Sequence, residues 1–422
     1  MNPKRSWLVL ISVFISIFAG VIVAGFFIRG YKPDIKNKLL TGTGLLVANS
    51  IPKGASVFVN DKLVTATDDT VNLVPDTYKI KIVKDGFLPW EKTIEIKKEI
   101  VKQTEAHLFR NAPDLKPITL AGALNPTLSP DGLKVVYSVA SASAQTKNGV
   151  WLNDLTTQPL NIARDQTRQL TNNSIYYDWS KAKFVWSPDS RQILAFFLNS
   201  KDEVDRAYLL PADRFTSVDQ LRDISFNLLA LVDQWQKEKD SLLEVKLKLL
   251  PKELWDPLTK SAVLITFSPN EEKFFYLATQ SATIPENLIS HPPARSDQPE
   301  QREIKPNNVY VYDLKEDTNF LIGEKDQLGV EAEKLKPGET LGEKLARLNY
   351  QPIYWLATNR HLIFVEENKI KVIEYDGSNE QVLFAGPFED SCVYPWPDGN
   401  RLMILTSLYS NLPANLYALT IK

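Results

Sequence analysis

The chain is poor in the residues that most chemistry uses: one cysteine, three histidines and two methionines among 422 residues. A lone cysteine, Cys392, excludes an intrachain disulfide, and it fixes no compartment. His107, His291 and His361 stand in separate segments without the spacing of a metal site. No Gly-x-x-x-x-Gly-Lys loop occurs to cradle a phosphate, and no Gly-x-Ser-x-Gly elbow to present a nucleophile. A net charge of -2 leaves no basic excess for a nucleic-acid backbone. The expectation is a non-enzyme with no catalytic residues, cofactor, metal or nucleic-acid partner. Cys392 reads as a small buried hydrophobe, and His361, which opens a strand, as a structural residue. Paired carboxylates could still serve a glycosidase, and sequence alone ranks no pair.

Apolar residues make up 44% of the chain, enough for a sizeable core. They fall mostly in short Val/Ile/Leu/Phe/Tyr segments, which favour β structure. One long exception follows a short flank, residues 1–6. Residues 7–28 carry no charge and as a helix would reach about 33 Å, enough for a bilayer core. The apolar stretch is longer than that of a cleaved signal, and Ile22-Val23-Ala24 is a poor cleavage site. An uncleaved single-pass transmembrane helix is expected here, followed by a linker over 29–41. Ser12, Ser16, Gly20 and Ala24 recur every fourth residue and set small side chains on one face, where a second helix could approach. Lys4 and Arg5 precede the run, whereas Arg29, Lys32, Lys36 and Lys38 follow it. That count by itself favours a cytoplasmic location for the rest of the chain.

Residues 42–110 form a string of short alternating strands. Gly44-Leu45-Leu46-Val47 is one, then Ser50-Ile51-Pro52-Lys53-Gly54-Ala55 turns into Ser56-Val57-Phe58-Val59-Asn60. Tyr78-Lys79-Ile80-Lys81-Ile82 alternates apolar and basic, and Lys84-Asp85-Gly86-Phe87 is a turn. The pattern carried by Ser50, Pro52, Gly54, Ala55, Val57, Val59, Tyr78, Gly86 and Phe87 resembles the PEGA domain, a small β-sandwich-like module of prokaryotic surface proteins. Two features depart from it: Pro75-Asp76 stands for the usual Pro-Gly, and the Thr-Pro after the hairpin is missing. The resemblance implies a spacer or adhesion role and no catalytic residues.

Residues 115–422 repeat one phrase. Leu128-Ser129-Pro130-Asp131-Gly132, Trp186-Ser187-Pro188-Asp189-Ser190, Phe267-Ser268-Pro269-Asn270, Leu356-Ala357-Thr358-Asn359 and Pro395-Trp396-Pro397-Asp398-Gly399 each precede an apolar strand. Proline presets φ, Asp or Asn accepts local backbone hydrogen bonds, and Gly supplies a positive φ. Asp154, Asp313 and Asp376 end later strands and read as turn residues too. Self-similarity of this kind signals a propeller. The phrase resembles the TolB-like and WD-type propeller repeat. The fold class expected is therefore mainly β: a transmembrane helix, a PEGA-like β-sandwich and an approximately five-bladed β-propeller. The last blade lacks an outer strand after Ile421, and residues 115–120 could supply it.

A helical hairpin insertion is expected over 213–258. Ser217-Val218-Asp219-Gln220 has the form of a capping box. Leu221, Ile224, Leu228, Val232 and Trp235 follow at helical spacing, and a second helix near 242–250 would stop at Pro251. Their apolar stripe suits either a flap packed on the propeller or a docking helix. Residues 284–308, rich in proline and charge, are expected as a mobile loop, and 324–349 as a charged stretch with a short helix.

These parts point to a membrane-anchored, extracytoplasmic scaffold, the location following from the domain resemblances. Its propeller would bind a protein or glycan of the cell envelope, and the chain could self-associate. The alternatives are a structural surface-coat subunit and, third, a propeller hydrolase of glycosides or peptides.

Overall fold

The computed structural model describes residues 3–28, 31–34, 39–156, 166–290, 292, 296–336, 338, 340–408 and 412–422. Contacts divide the chain into two units, Met1–Phe109 with Pro292–Asp297, and Arg110–His291 with Gln298–Lys422.

The first unit opens with helix α1, Pro3–Ile28. Among the described residues no helix is long and apolar enough to cross a membrane. The span expected at 7–28 falls partly on side chains outside that description, those of residues 8–10, 23 and 26–28. The stretch expected to be a linker holds a two-stranded ladder, β1 (Tyr31–Asp34) and β2 (Leu39–Gly42), in which Tyr31 opposes Gly42. Next come β3 (Gly44–Ile51), β4 (Ser56–Val59), β5 (Lys62–Ala66), β6 (Asp69–Leu73), β7 (Asp76–Val83), β8 (Trp90–Ile96) and β9 (Val101–His107). They form two sheets, ordered β6-β3-β9 and β5-β4-β7-β8. Alternation puts Leu46 and Ala48 of one sheet against Val57, Ile80 and Ile82 of the other, all fully buried. This is the sandwich that the resemblance to the PEGA domain implied.

The second unit contains five four-stranded antiparallel sheets. After β10 (Asp114–Pro117), sheet 1 comprises β11 (Leu124–Leu128), β12 (Lys134–Val139), β13 (Gly149–Asp154) and β14 (Thr167–Asn172). Sheet 2 comprises β15 (Lys183–Trp186), β16 (Gln192–Leu198), β17 (Val204–Pro211) and β18 (Arg222–Asp223). Helices α2 (Leu228–Leu247) and α3 (Lys252–Ser261) follow. Sheet 3 has β19 (Ala262–Phe267) and β20 (Lys273–Ala278), a small ladder of β21 (Ala282–Thr283) with β22 (Glu303–Ile304) intervenes, and β23 (Asn308–Asp313) and β24 (Thr318–Glu324) complete it. Helix α4 (Leu341–Asn349) leads to sheet 4: β25 (Tyr354–Trp355), β26 (His361–Glu366), β27 (Lys369–Glu374) and β28 (Gln381–Ala385). Sheet 5 is β29 (Val393–Pro395), β30 (Arg401–Thr406) and β31 (Asn415–Thr420), completed by β10. Leu115 opposes Leu419 there, so Asp114–Pro117 supplies the outer strand that residues 115–120 were expected to supply.

The repeated phrase makes the first turn of every sheet. The residue three after Ser129, Ser187, Ser268, Leu356 and Trp396 has positive φ in all five copies: Gly132, Ser190, Glu271, Asn359 and Gly399. The N–H of each donates to the carbonyl three residues back, on Ser129, Ser187, Ser268, Leu356 and Trp396. In the first three copies the serine hydroxyl bonds the Asp or Asn side chain and also accepts the N–H that opens the next strand, at 2.9–3.0 Å. Asp154, Asp313 and Asp376 accept N–H groups two residues on, which places them in turns, as expected.

Burial would raise the Asp131 pKa, but hydrogen bonds from Ser129 Oγ and the Leu133 N–H, with Lys134 Nζ at 3.0 Å, outweigh it and hold it low. A depressed carboxylate stabilises the fold above the ordinary range, and that gain is lost as pH falls through the folded value, below about pH 4. Asp131→Asn is therefore expected to lose about 1 kcal/mol at pH 7 and clearly less at pH 3. Denaturant titrations at the two pH values measure this, and an equal loss at both would contradict it.

Neighbouring sheets pack face to face. Val136, Val150 and Leu152 of sheet 1 meet Phe184, Trp186 and Ile193 of sheet 2. Phe275, Val309 and Phe320 of sheet 3 meet Trp355, Leu362 and Phe364 of sheet 4, and Met403 and Leu416 of sheet 5 meet Val135 and Tyr137 of sheet 1. Indoles fasten two of these seams: Trp186 Nε1 donates to the Thr127 carbonyl and Trp355 Nε1 to that of Thr266, both at 3.0 Å.

Sheets 2 and 3 differ, because helices cover the faces they would turn to each other. Val185, Leu194, Phe196, Ala207 and Leu209 of sheet 2 lie under Leu228, Val232 and Trp235 of α2 and Leu345 of α4. Phe274, Tyr276, Tyr310 and Tyr312 of sheet 3 lie under Leu254 and Leu258 of α3 and under Ile284 and Ile304. The insertion thus fills the sector between two sheets.

Two expectations need correcting. Ser217 makes no side-chain cap, and 218–220 is a single 3-10 turn. Arg222–Asp223 pairs with β17 as the outer strand of sheet 2, so α2 starts only at Leu228. The sheet's need for a fourth strand outweighs the helical periodicity. The second helix lies after Pro251, not before it, since a proline opens a helix more readily than it continues one. In 284–308, Ile284 and Ile304 are part of the core, and His291 and 293–295 lie outside the described residues. The short helix expected within 324–349 is α4, which has a full capping box, Thr340 with Glu343.

Candidate functional site

The sequence singled out two sets of residues. Ser12, Ser16, Gly20 and Ala24 all lie on α1 and are exposed, with Ser16 Oγ donating to the Ser12 carbonyl at 2.8 Å. The stripe proposed for docking is turned inward. Ile224, Leu228, Val232 and Trp235 are buried against sheet 2, and Leu221 packs partly buried on the sheet 1–sheet 2 core. A helical stripe marks an apolar face without saying whether its partner is internal. Here it is internal for Ile224, Leu228, Val232 and Trp235, and those four leave no surface for a docking partner.

Sequence reasoning missed a cavity in the second unit, about 1020 Å³ in volume. Residues of the first strands of four sheets bound it, β11, β15, β25 and β29, together with α4 and the segment before it. Inward-facing strand alternation contributes Val185, Ile363, Tyr394 and Leu405 to an apolar wall, which Leu345 of α4 completes, all buried. Tyr354 and Tyr394 meet edge to face at 6.1 Å, and the Tyr394 hydroxyl donates to the Pro126 carbonyl at 2.8 Å. Asn349 Nδ2 donates to the Phe184 carbonyl and so ties the end of α4 to β15. Cys392 also lines the wall, and burial raises its thiol pKa, which keeps it protonated and unreactive.

The rest of the lining is charged. Asp202, Asp326, Glu331, Glu367, Glu389 and Asp390 are exposed there, against Lys183 and Lys334. Lys334 is engaged by Glu331 at 2.6 Å. The six carboxylates sit on four separate connections: β16–β17, β24–α4, β26–β27 and β28–β29. Among the described residues no cluster of three His, Cys, Asp or Glu could hold a metal ion. His361 is buried, its Nδ1 2.9 Å from Thr358 Oγ1 in the turn of sheet 4. The arrangement can take an extended or amphipathic ligand with an apolar part on the wall and a polar or cationic part at the charged residues.

With sheets and cavity described, the class is a tandem of a small β-sandwich and a β-propeller. Residues 43–111, which hold the first of these, match the model of the PEGA domain family. A comparison with curated proteins finds no match. Among solved structures the chain is similar to a protein assigned as TolB from Agrobacterium tumefaciens, at 11% identity over 71% of this chain and 78% of that one, with a TM-score of 0.22. It is also similar to TolB from Acinetobacter baumannii, at 11% identity, 81% and 60% coverage and a TM-score of 0.20. A third is the β-propeller domain of the trilobed protease from Pyrococcus furiosus, at 11% identity, 90% and 96% coverage and a TM-score of 0.20. At these TM-scores the likenesses add no argument. The chain's own five four-stranded sheets and their shared first turns are what speak for a propeller-like arrangement.

Proposed function

We propose that the chain is an envelope scaffold, held at a membrane by α1 and binding a protein or glycan partner at the cavity of a five-bladed propeller. One observation carries this reading: first strands from four sheets converge on a cavity with an apolar wall and charged connections, while the described residues hold no metal cluster. Helices cover the faces that sheets 2 and 3 leave open, and connections carried on packed sheets suit recognition. Support for anchoring comes from the uncharged run 7–28 and from apolar side chains on α1 with nothing packed on them, such as Phe14 and Phe18, 74% and 62% exposed. An extracytoplasmic location is part of the proposal, against the charge count that flanks α1.

Site-directed photocrosslinking in intact cells tests the binding site. A photoreactive residue at Leu124, in the cavity lining, is expected to yield a discrete adduct with an envelope protein or glycan. The same residue at Val382, exposed on the outer strand of sheet 4, is expected to yield none. No adduct at Leu124, or the same adducts at both positions, would remove the cavity as the binding site.

A further inference from the structure

The sheets of the second unit have two unlike ends. Antiparallel order puts the connection between second and third strands, and the link from one sheet to the next, opposite the repeated turn. Repeated turns of neighbouring sheets meet: the Asp131 N–H donates to Ser190 Oγ at 3.1 Å, and the Asn270 N–H to Asn359 Oδ1 at 2.9 Å. At the other end Asn125 Nδ2 donates to the Ala182 carbonyl at 2.8 Å. All six carboxylates of the cavity lining stand at that second end, so it is the cavity end.

Apolar exposure divides the same way. Outside α2, α3 and the turn joining them, consider the large apolar side chains more than half exposed in the described connections. Leu120, Ile175, Tyr176, Phe226, Leu408 and Leu412 are at the cavity end, and Phe215 alone is at the turn end. Apolar side chains gathered at one end of a molecule mark a surface that another body covers. The charge of the cavity says which body. Asp326 has Lys325 at 2.8 Å, Glu331 has Lys334 at 2.6 Å and Glu367 has Lys369 at 3.5 Å. Among the described residues no cation pairs with Asp202, Glu389 or Asp390, all exposed.

We propose that the cavity end receives a protein, through a short segment of that protein carrying lysine or arginine beside leucine or an aromatic residue. This rests on the cavity as the binding site and names its occupant. The cations answer Asp202, Glu389 and Asp390, the apolar side chains of the segment lie on the wall at Val185, Ile363 and Tyr394, and the body of the partner covers the exposed apolar side chains at the same end. A neutral glycan would leave the carboxylates unanswered, and an anionic membrane surface would be repelled by them.

The test places a photoreactive residue at Leu124, Ile175 or Phe215 of the full chain in intact cells. One and the same protein is expected at Leu124 and Ile175, and none at Phe215. Mass spectrometry of the Leu124 adduct is expected to place the crosslink beside lysine or arginine of the partner. Joint substitution of Glu389→Lys and Asp390→Lys sets like charges against that segment and is expected to lower the yield at both positions at least about tenfold. Asp213→Lys, exposed at the turn end, is expected to leave it unchanged. An unaltered thermal melt verifies the fold of each variant. A glycan adduct at Leu124 would overturn this inference and leave the cavity as the binding site. A protein adduct at Leu124 that is missing at Ile175, or that charge reversal does not move, would have the same effect, whereas no adduct at Leu124 would remove the cavity as well.

Discussion

Val232→Asp is expected to destabilise the second unit by about 4 kcal/mol or more, an exceptional loss for a single residue. Val232 is fully buried where α2 meets sheet 2, against Val185, Leu194 and Ala207. A carboxylate there either stays charged without a partner in an apolar contact or takes up a proton, and both cost several kcal/mol. Leu229→Asp is the control. Leu229 lies on the same helix but is half exposed, and its substitution is expected to change stability by no more than about 0.5 kcal/mol. Hydrogen exchange locates the effect: with Val232→Asp, β16 and β17 are expected to lose protection first. Equal and small effects from the two substitutions would mean that the insertion is a detachable flap and not the filling between sheets 2 and 3.

Lys273→Met is expected to cost about 3–5 kcal/mol, because it strands a buried carboxylate. Lys273 Nζ lies 3.1 Å from Asp313 Oδ2, with the two side chains 8% and 2% exposed. The ammonium also sits 4.7 Å from the centre of the Tyr375 ring, on the neighbouring sheet. Asp313 accepts the N–H groups of Lys315 and Glu316 at 2.8 and 3.0 Å, work that an asparagine oxygen can continue. The double variant Lys273→Met with Asp313→Asn is therefore expected to recover much of the loss, since it removes the unpaired charge and keeps the turn. Denaturant unfolding of the wild type, both single variants and the double variant measures the coupling. Simple additivity would show that the pair does not act as a unit.

Turn chemistry was the most legible part of the sequence, because it is local. Proline with Asp or Asn specifies a tight turn in four of the copies, and all five fold that way, the fourth on Thr358 and Asn359 alone, even where Ser190, Glu271 and Asn359 must adopt the φ that glycine adopts most easily. The closing strand was legible by deficit: sheet 5 lacked a fourth strand, and Asp114–Pro117 supplies it. The start of α2 was not legible. Leu221 and Ile224 fit a helical stripe, but Arg222–Asp223 between them is taken as an edge strand, a choice made by sheet 2 and not by local preference. The partner of that stripe was equally hidden, since apolar spacing specifies a face without its cover. The cavity lining left no signal at all. Its carboxylates lie in four connections from Asp202 to Asp390, each ordinary where it stands, and only the fold gathers them.

The scaffold reading depends above all on which side of a membrane the propeller occupies, and thiol labelling in intact cells decides that directly. Cys392 is buried and contributes little background. Ser200→Cys places a reporter at an exposed position between β16 and β17, on the same connection as Asp202 of the cavity. The account predicts that a membrane-impermeant maleimide labels this cysteine in unbroken cells, with the chain retained in the membrane fraction. Labelling only after lysis would place the propeller in the cytoplasm, in line with the charges that follow α1, and would contradict the envelope function.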